Sequence, residues 1–208
     1  MRPVDWYFDF VSPYSYFALH RLQELPDVAI RYRPVLLAGL LGHWGQKGPA
    51  ELATKRVSMY RWCTWHAGRM RIEFRLPSAH PFNSLLYLRA AIAAGSEPDA
   101  IRTIFRALWT TGADPADPNF QDELLDELRI ERERLDAPPV KNELRAQTEQ
   151  AIEQGVFGVP TLMVDRELFW GEDAIDFAKD YLADPAILAS AAMLRATDLP
   201  VGAVRKLK

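Results

Sequence analysis

Two short segments near opposite ends of the chain carry the residue types on which chemistry could depend. The first is Ser12-Pro13-Tyr14-Ser15, and the second is Gly158-Val159-Pro160-Thr161, which has the form of a turn entering a strand. A serine cannot exchange disulfides, but its hydroxyl at a helix N-terminus can donate a hydrogen bond to a thiolate. The two segments together predict chemistry on a thiol that comes from a bound molecule.

A helix N-terminus with a capping hydroxyl can supply the free energy needed to ionise such a thiol. A thiol with a pKa of about 8.5 is only ~3% ionised at pH 7, and lowering that pKa by about two units takes ~2.7 kcal/mol. A helix N-terminus contributes up to ~2 kcal/mol, and a hydrogen bond to a charged acceptor adds about 1.5–3 kcal/mol. Ser12 and the first free amides therefore suffice without a metal or a general base. The alternative is that Ser12 only caps the helix.

The segments around Ser12 predict a β-α-β unit. Residues 4–10 are rich in aromatic and β-type residues, as expected of a buried strand. Ser12 is a good N-cap and Pro13 a good first helical residue, because the missing N–H of proline would have no partner there. Residues 28–35 alternate as a second strand. A parallel pair with a right-handed crossover follows.

The rest of the chain predicts a block of helices and then a second mixed unit. From about Glu51 to the Pro138-Pro139 pair the sequence shows only helical patterns. Residues 140–154 are predicted to form a further helix that ends at Gly155. Two strands, at 161–164 and 168–170, and a last helix from Gly171 to about Leu182 complete an α-β-β-α unit.

This order is typical of the thioredoxin-like fold, an α/β fold, with an all-helical domain inserted after the second strand. We predict a thioredoxin-like domain from residues 1–36 and 139–184, an inserted helical domain at 37–138, and a C-terminal helical segment with a basic tail at 185–208. In this fold a Cys-x-x-Cys caps the first helix, and a cis-proline turn faces it. Ser12 and Ser15 take both cysteine positions here, which excludes a disulfide oxidoreductase.

The second segment and the residues beyond it predict contacts to a peptide-like ligand. A cis proline at Pro160 would present the backbone of Val159 to an extended peptide; the alternative is an ordinary trans turn. Free amides at Gly171-Glu172-Asp173, together with the Asp173 carboxylate, suit an α-carboxylate and an α-amine. Alternatively, Asp173 only complements the helix dipole.

Composition excludes several classes of function. The 208 residues carry a net charge of −3, which gives no case for nucleic acid or an anionic membrane as partner. We expect neither a membrane span nor a secretory signal. One cysteine, Cys63, fits a reducing compartment, so a cytoplasmic protein is expected. The four histidines are not clustered, and no metal site is expected.

The chain resembles the 2-hydroxychromene-2-carboxylate isomerases and, more distantly, the kappa-class glutathione transferases, both in the DsbA-like branch of the thioredoxin fold. The resemblance covers about 170 residues, in family order. The segments that carry it are FDFVSPYSYFAL, RPVLL, GPAELATK, FRLPSAHPFNSL and GVFGVPTLMVDRELFWGED.

The resemblance implies glutathione as the bound thiol, with residue roles carried over by position. The residue matching Ser12 contacts the sulfur. The remaining implied contacts are Val159 and Pro160 to the cysteinyl backbone, Glu172 and Asp173 to the γ-glutamyl end, and Gln46 and Lys55 elsewhere on the tripeptide.

The implied reaction is cis-trans isomerisation of a small aromatic ketoacid, from 2-hydroxychromene-2-carboxylate to trans-o-hydroxybenzylidenepyruvate. The resemblance also implies a homodimer. Two alternatives remain: a kappa-class-like transferase that detoxifies electrophiles, and a redox-inactive peptide-binding module.

The chain departs from the family pattern on one side of this site. The family often has a tyrosine, an aspartate and an arginine where this chain has Ser58, Trp62 and Trp65, and an arginine where it has Ala174. These departures put the identity of the natural substrate in question and leave the thiol-binding half of the site unchanged.

Overall fold

A computed structural model describes residues 1–203. The strands are β1 (Arg2–Phe8), β2 (Val28–Pro34), β3 (Thr161–Val164) and β4 (Glu167–Trp170). The α-helices are α1 (Pro13–Arg21), α2 (Leu37–His43), α3 (Ala53–Met70), α4 (Leu85–Ala93), α5 (Pro98–Thr110), α6 (Pro118–Leu128), α7 (Pro138–Glu153), α8 (Ile175–Ala183) and α9 (Ala191–Thr197).

The strands form one mixed sheet in the order β2-β1-β3-β4. β1 and β2 are parallel, as the β-α-β prediction requires, and β3 is antiparallel to both β1 and β4. Helices alone connect β2 to β3 in the described chain. The predicted α/β, thioredoxin-like fold with a helical insertion is therefore confirmed.

The predicted start of the last helix is wrong. That helix was expected from Gly171, but α8 begins at Ile175. Gly171 has a φ of +107°, which no helix contains, and residues 171–174 form a turn. The sequence pattern also missed α2, a short helix directly after the second strand.

One face of the sheet and the inserted helices share a single aromatic core. The fully buried rings of Trp6 and Phe8 on β1 stack with centroids 4.4 Å apart. Phe105 of α5 packs 5.8 Å from Phe8 and 4.6 Å from Phe10. The sheet and the insertion therefore bury each other's apolar surface, while the exact domain boundaries stay a prediction.

No helix among residues 1–203 is long and apolar enough to span a bilayer. The basic tail predicted near the C-terminus (Arg205, Lys206 and Lys208) lies outside the described residues.

Truncating the shared ring cluster should destabilise the whole fold. Phe105→Ala removes a fully buried ring, and we expect a loss of about 3–5 kcal/mol in the free energy of unfolding. Val57→Ala on α3, where the side chain is half exposed, is the control and should change it by less than about 0.5 kcal/mol. Urea unfolding measures both. Equal values for the two variants would contradict the shared core.

Candidate functional site

Ser12 is the N-cap of α1. Its φ and ψ of −91° and 114° are extended, and its Oγ accepts a hydrogen bond from the Ser15 N–H at 3.2 Å. Because that bond uses a lone pair of the oxygen, the hydroxyl hydrogen remains available for donation. Ser12 keeps 5% of its surface exposed. Because Ser12 is nearly buried, the local dielectric constant is low, which strengthens any hydrogen bond that the hydroxyl makes. Little of the side chain is accessible to a ligand.

The loop that precedes Ser12 is held by the carboxylate of Asp9, which is 1% exposed. Asp9 Oδ1 accepts the Val11 N–H at 3.1 Å and Oδ2 accepts the Leu37 N–H at 2.8 Å. The Asp9 carbonyl accepts the Ser12 N–H at 3.0 Å. Burial raises the pKa of Asp9 above its usual value, against the lowering effect of the bond from Leu37. Asp9 thus ties the loop before α1 to the start of α2.

Two side chains from the inserted helical segment fix the same loop. Trp109 donates its indole N–H to the Phe10 carbonyl at 3.0 Å, and His80 Nε2 lies 2.7 Å from the Val11 carbonyl oxygen. A hydrogen bond to that carbonyl requires a proton on Nε2 of His80. Because the neutral ring then has no proton on Nδ1, Nδ1 can accept a hydrogen bond from the Tyr60 hydroxyl, 2.8 Å away. Burial lowers the pKa of His80, consistent with the neutral ring. Sequence reasoning missed these roles of Asp9, His80 and Trp109.

The Val159–Pro160 peptide bond is cis, as predicted. β1 and β3 pair as far as Tyr7 opposite Thr161, so the turn directly before Thr161 lies at the end of β1 from which the loop to Ser12 continues. The turn is fastened by the Gly171 N–H, which donates to the Pro160 carbonyl at 2.9 Å. The turn therefore lies beside the loop that carries Ser12.

Glu172 and Asp173, adjacent in sequence, have different surroundings. Glu172 is 5% exposed, and Arg21 Nη1 donates to its Oε1 at 3.0 Å. Its other oxygen, Oε2, lies 3.3 Å from His66 Nε2, without hydrogen-bond geometry. Asp173 is exposed and folds over Gly171. The carboxylate of Glu172 is thus occupied within the protein, and that of Asp173 is open to a ligand.

The charge of Asp173 makes a small contribution to the electrostatics of Tyr14. The pKa of Tyr14 rises to about 12, mainly through burial, with smaller contributions from Cys63 and from the Asp173 charge. Tyr14 is the second residue of α1. The Val159–Pro160 turn thus lies near the start of α1, where Ser12 is, while the residue before Asp173, Glu172, is bonded to Arg21 at the end of the same helix.

Gln46 and Lys55 lie on exposed surface near the same elements. The loop of Gln46 is fixed at Trp44, whose indole N–H donates to the Val156 carbonyl at 3.0 Å. Val156 is three residues before Val159. Lys55 is in the first turn of α3, about 10 Å along the helix axis from Trp62. Both side chains are exposed, and their contacts to a thiol ligand stay a prediction.

The chain's own thiol is unsuited to be a nucleophile. Cys63 is fully buried in α3, and burial raises its pKa to about 12. Within residues 1–203 no group of three or more His, Cys, Asp or Glu side chains could hold a metal ion. A thiol that reacts beside Ser12 would have to come from a bound molecule.

Comparison with known proteins identifies the family of this chain and its relatives. A family described as the DSBA-like thioredoxin domain matches residues 3–183. A 2-hydroxychromene-2-carboxylate isomerase from Sphingobium xenophagum is 28% identical over 88% of this chain and 99% of its own length. A glutathione S-transferase kappa 2 from Caenorhabditis elegans is 27% identical over 88% of this chain and 93% of its own length.

A solved structure extends the likeness to three dimensions. A selenomethionine form of 2-hydroxychromene-2-carboxylate isomerase superposes with a TM-score of 0.75 and 26% identity. The alignment covers 96% of this chain and all of the other. The likeness to the isomerases, predicted from sequence segments, is thereby confirmed.

Cys63 should be inert in the folded protein. With a pKa of about 12, its thiolate fraction at pH 8 is on the order of 0.01%. We expect no alkylation by iodoacetamide in buffer over an hour and complete single labelling in urea, both followed by intact mass. Similar labelling rates in the two conditions would contradict the assigned burial.

Proposed function

Because this chain belongs to the DSBA-like thioredoxin domain family and is similar to isomerases and kappa-class transferases along most of its length, we propose that it is a glutathione-dependent isomerase of an aromatic ketoacid. Those relatives support the general assignment, an enzyme of the isomerase or kappa-transferase type. The dependence on glutathione and the substrate belong to the proposal.

One observation carries the proposal. The Ser12 hydroxyl accepts from the Ser15 N–H at 3.2 Å while capping α1. An oxygen polarised in this way is a better donor to an anion placed at the helix N-terminus. A sulfur bound there receives the helix dipole and a charge-assisted hydrogen bond together. The proposed role of Ser12 is to keep the bound thiol ionised at neutral pH.

The remaining contacts follow the length of the tripeptide. The cysteinyl backbone pairs with Val159 beside Pro160 as an added strand. The γ-glutamyl end then reaches the turn at 171–174, where the open carboxylate of Asp173 takes the amine. Glu172, whose side chain is bonded to Arg21, contributes through its main chain. Gln46 and Lys55 are proposed to contact the tripeptide from the segment after α2 and the start of α3.

The proposed reaction uses the thiolate as a reversible nucleophile. Its sulfur forms a C–S bond to the β-carbon of the ring-opened unsaturated ketoacid, and the electron pair of the double bond moves to the carbonyl oxygen. The carbon–carbon bond, now single, rotates. The enolate then re-forms the double bond as the C–S bond breaks, and glutathione leaves unchanged. The proposed product is trans-o-hydroxybenzylidenepyruvate.

A kappa-class-like transferase is the second candidate. It is favoured by the relative named glutathione S-transferase kappa 2 and by the tryptophans at 62 and 65, where the family pattern differs. The peptide-binding module needs only the Val159–Pro160 turn, and it would give the exposed Asp173 carboxylate no role. A homodimer in the cytoplasm stays a prediction under each candidate.

Replacing the hydroxyl should raise the pKa of the bound thiol. Ser12→Ala removes a hydrogen bond of about 1.5–3 kcal/mol, so we expect a roughly ten- to hundredfold lower rate at pH 7. Because the thiol ionises unaided at high pH, the loss should shrink as pH rises. Ser15→Ala is the control, since the buried Ser15 Oγ has no hydrogen-bond partner among residues 1–203. Equal rates for Ser12→Ala and the unmutated protein at pH 7 would remove the activation role.

The substrate assay separates the candidate activities. With glutathione present, an isomerase converts the chromene carboxylate to its trans-ketoacid without consuming thiol, as followed by ultraviolet absorbance. A transferase instead consumes thiol stoichiometrically with a chlorinated aromatic acceptor. Calorimetry with glutathione tests the common premise: binding that Asp173→Asn weakens supports both enzymes, and no binding at about ten millimolar ligand favours the peptide module.

A further inference from the structure

The turn at 171–174 offers a ligand one open carboxylate. Glu172 is bonded to Arg21 through Oε1 and through its carbonyl, and its second oxygen faces His66. Asp173 alone of this pair is exposed. An ammonium group at this turn can pair with that carboxylate, and the rings of His66 and, stacked on it, Trp62 lie beside the neighbouring Glu172.

Trp62 is a fixed, partly exposed ring at this place. One face of its indole stacks on His66, with centroids 4.3 Å apart and planes 16° from parallel. Its other neighbours are Tyr14, at 5.5 Å, and Phe17, at 6.2 Å. Trp62 remains 38% exposed. With His66 stacked on one face and Tyr14 and Phe17 beside the ring, the exposed part of the indole is what a ligand can contact.

His66 connects this ring to the turn at 171–174. It stacks on Trp62, and its Nε2 lies 3.3 Å from Oε2 of Glu172, the residue before Asp173. Trp62 also packs against the ring of Tyr14. The exposed carboxylate of Asp173 and the partly exposed ring of Trp62 thus belong to neighbouring parts of one surface. This combination is suited to a primary ammonium, because the ring faces carry negative electrostatic potential.

We propose that Trp62, together with Asp173, binds the primary ammonium of the γ-glutamyl group of the thiol ligand by a cation–π contact. This inference rests on the proposed function for the placement of the tripeptide. It makes Trp62 a specificity-determining residue for thiols with a free α-amine, in a position where the resemblance had led to the expectation of an aspartate.

Trp65 provides a matched comparison on the same helix. It is 59% exposed, and its ring already lies under a cation of the protein, Arg69, whose Cζ is 5.7 Å from the ring centroid. It neighbours His66 at 6.4 Å. Substitution of Trp65 therefore removes an exposed indole of the same size from α3 and leaves the Tyr14–Trp62 pair in place.

The test is calorimetry with two ligands, glutathione and glutaryl-cysteinyl-glycine, which has a hydrogen in place of the α-amine. Trp62→Leu should weaken glutathione binding about fivefold, equivalent to ~1 kcal/mol, and should not change binding of the amine-free analogue. Trp62→Phe keeps a weaker π face and should lose less. Trp65→Leu should change neither ligand. Thermal unfolding of each variant confirms that it is folded.

Three results overturn the inference while leaving the proposed function intact. In the first, Trp62→Leu binds glutathione as tightly as the unmutated protein does. In the second, this variant loses the same affinity for glutathione and for the amine-free analogue. In the third, it has a higher KM for the aromatic acceptor but the same affinity for glutathione. An unmutated protein that binds no glutathione instead removes the proposed function and the inference with it.

Discussion

The arrangement of the site depends on the buried carboxylate of Asp9. By accepting the N–H groups of Val11 and Leu37, it fixes the backbone between β1 and α1 and joins it to the start of α2. A buried acid in this setting costs free energy, as the raised pKa shows. That cost is offset because the loop then has one conformation, in which Ser12 caps α1 and its hydroxyl stays available.

The inserted helical segment contributes to the same constraint. Trp109 and His80 reach the carbonyls of Phe10 and Val11 from far along the chain. Two carbonyls that would otherwise be unsatisfied beside a helix N-terminus are thereby paired. Because Trp109 belongs to α5, which also packs Phe105 into the core of the sheet, core packing and site geometry are coupled. The insertion thus orients the site as well as enlarging the fold.

Local signals predicted the elements and the cap, whereas long-range contacts could not be predicted from the chain. Ser12 before Pro13 is a cap signal within two residues, and the Val159–Pro160 turn was likewise evident from sequence. The start of α8 was misjudged because Glu172 is held in a turn by Arg21, a contact between residues 151 positions apart. No periodicity indicates such a bond. The roles of Asp9, His80 and Trp109 were missed for the same reason.

The two ends of the site are fixed by different kinds of structure. At the thiol end the determinants are backbone features: the N-terminus of α1, the loop before it and the turn at Pro160. These depend on the sheet register and the core, so they cannot change without loss of the fold. At the other end the determinants are side chains on helix and turn surfaces, such as Trp62 and Asp173, and surface side chains can be exchanged at little cost to stability. Departures from the family pattern at Ser58, Trp62, Trp65 and Ala174 lie on this side. Under the proposed function, the fold therefore constrains the position of the sulfur more tightly than it constrains the rest of the thiol ligand or the electrophile that the sulfur attacks.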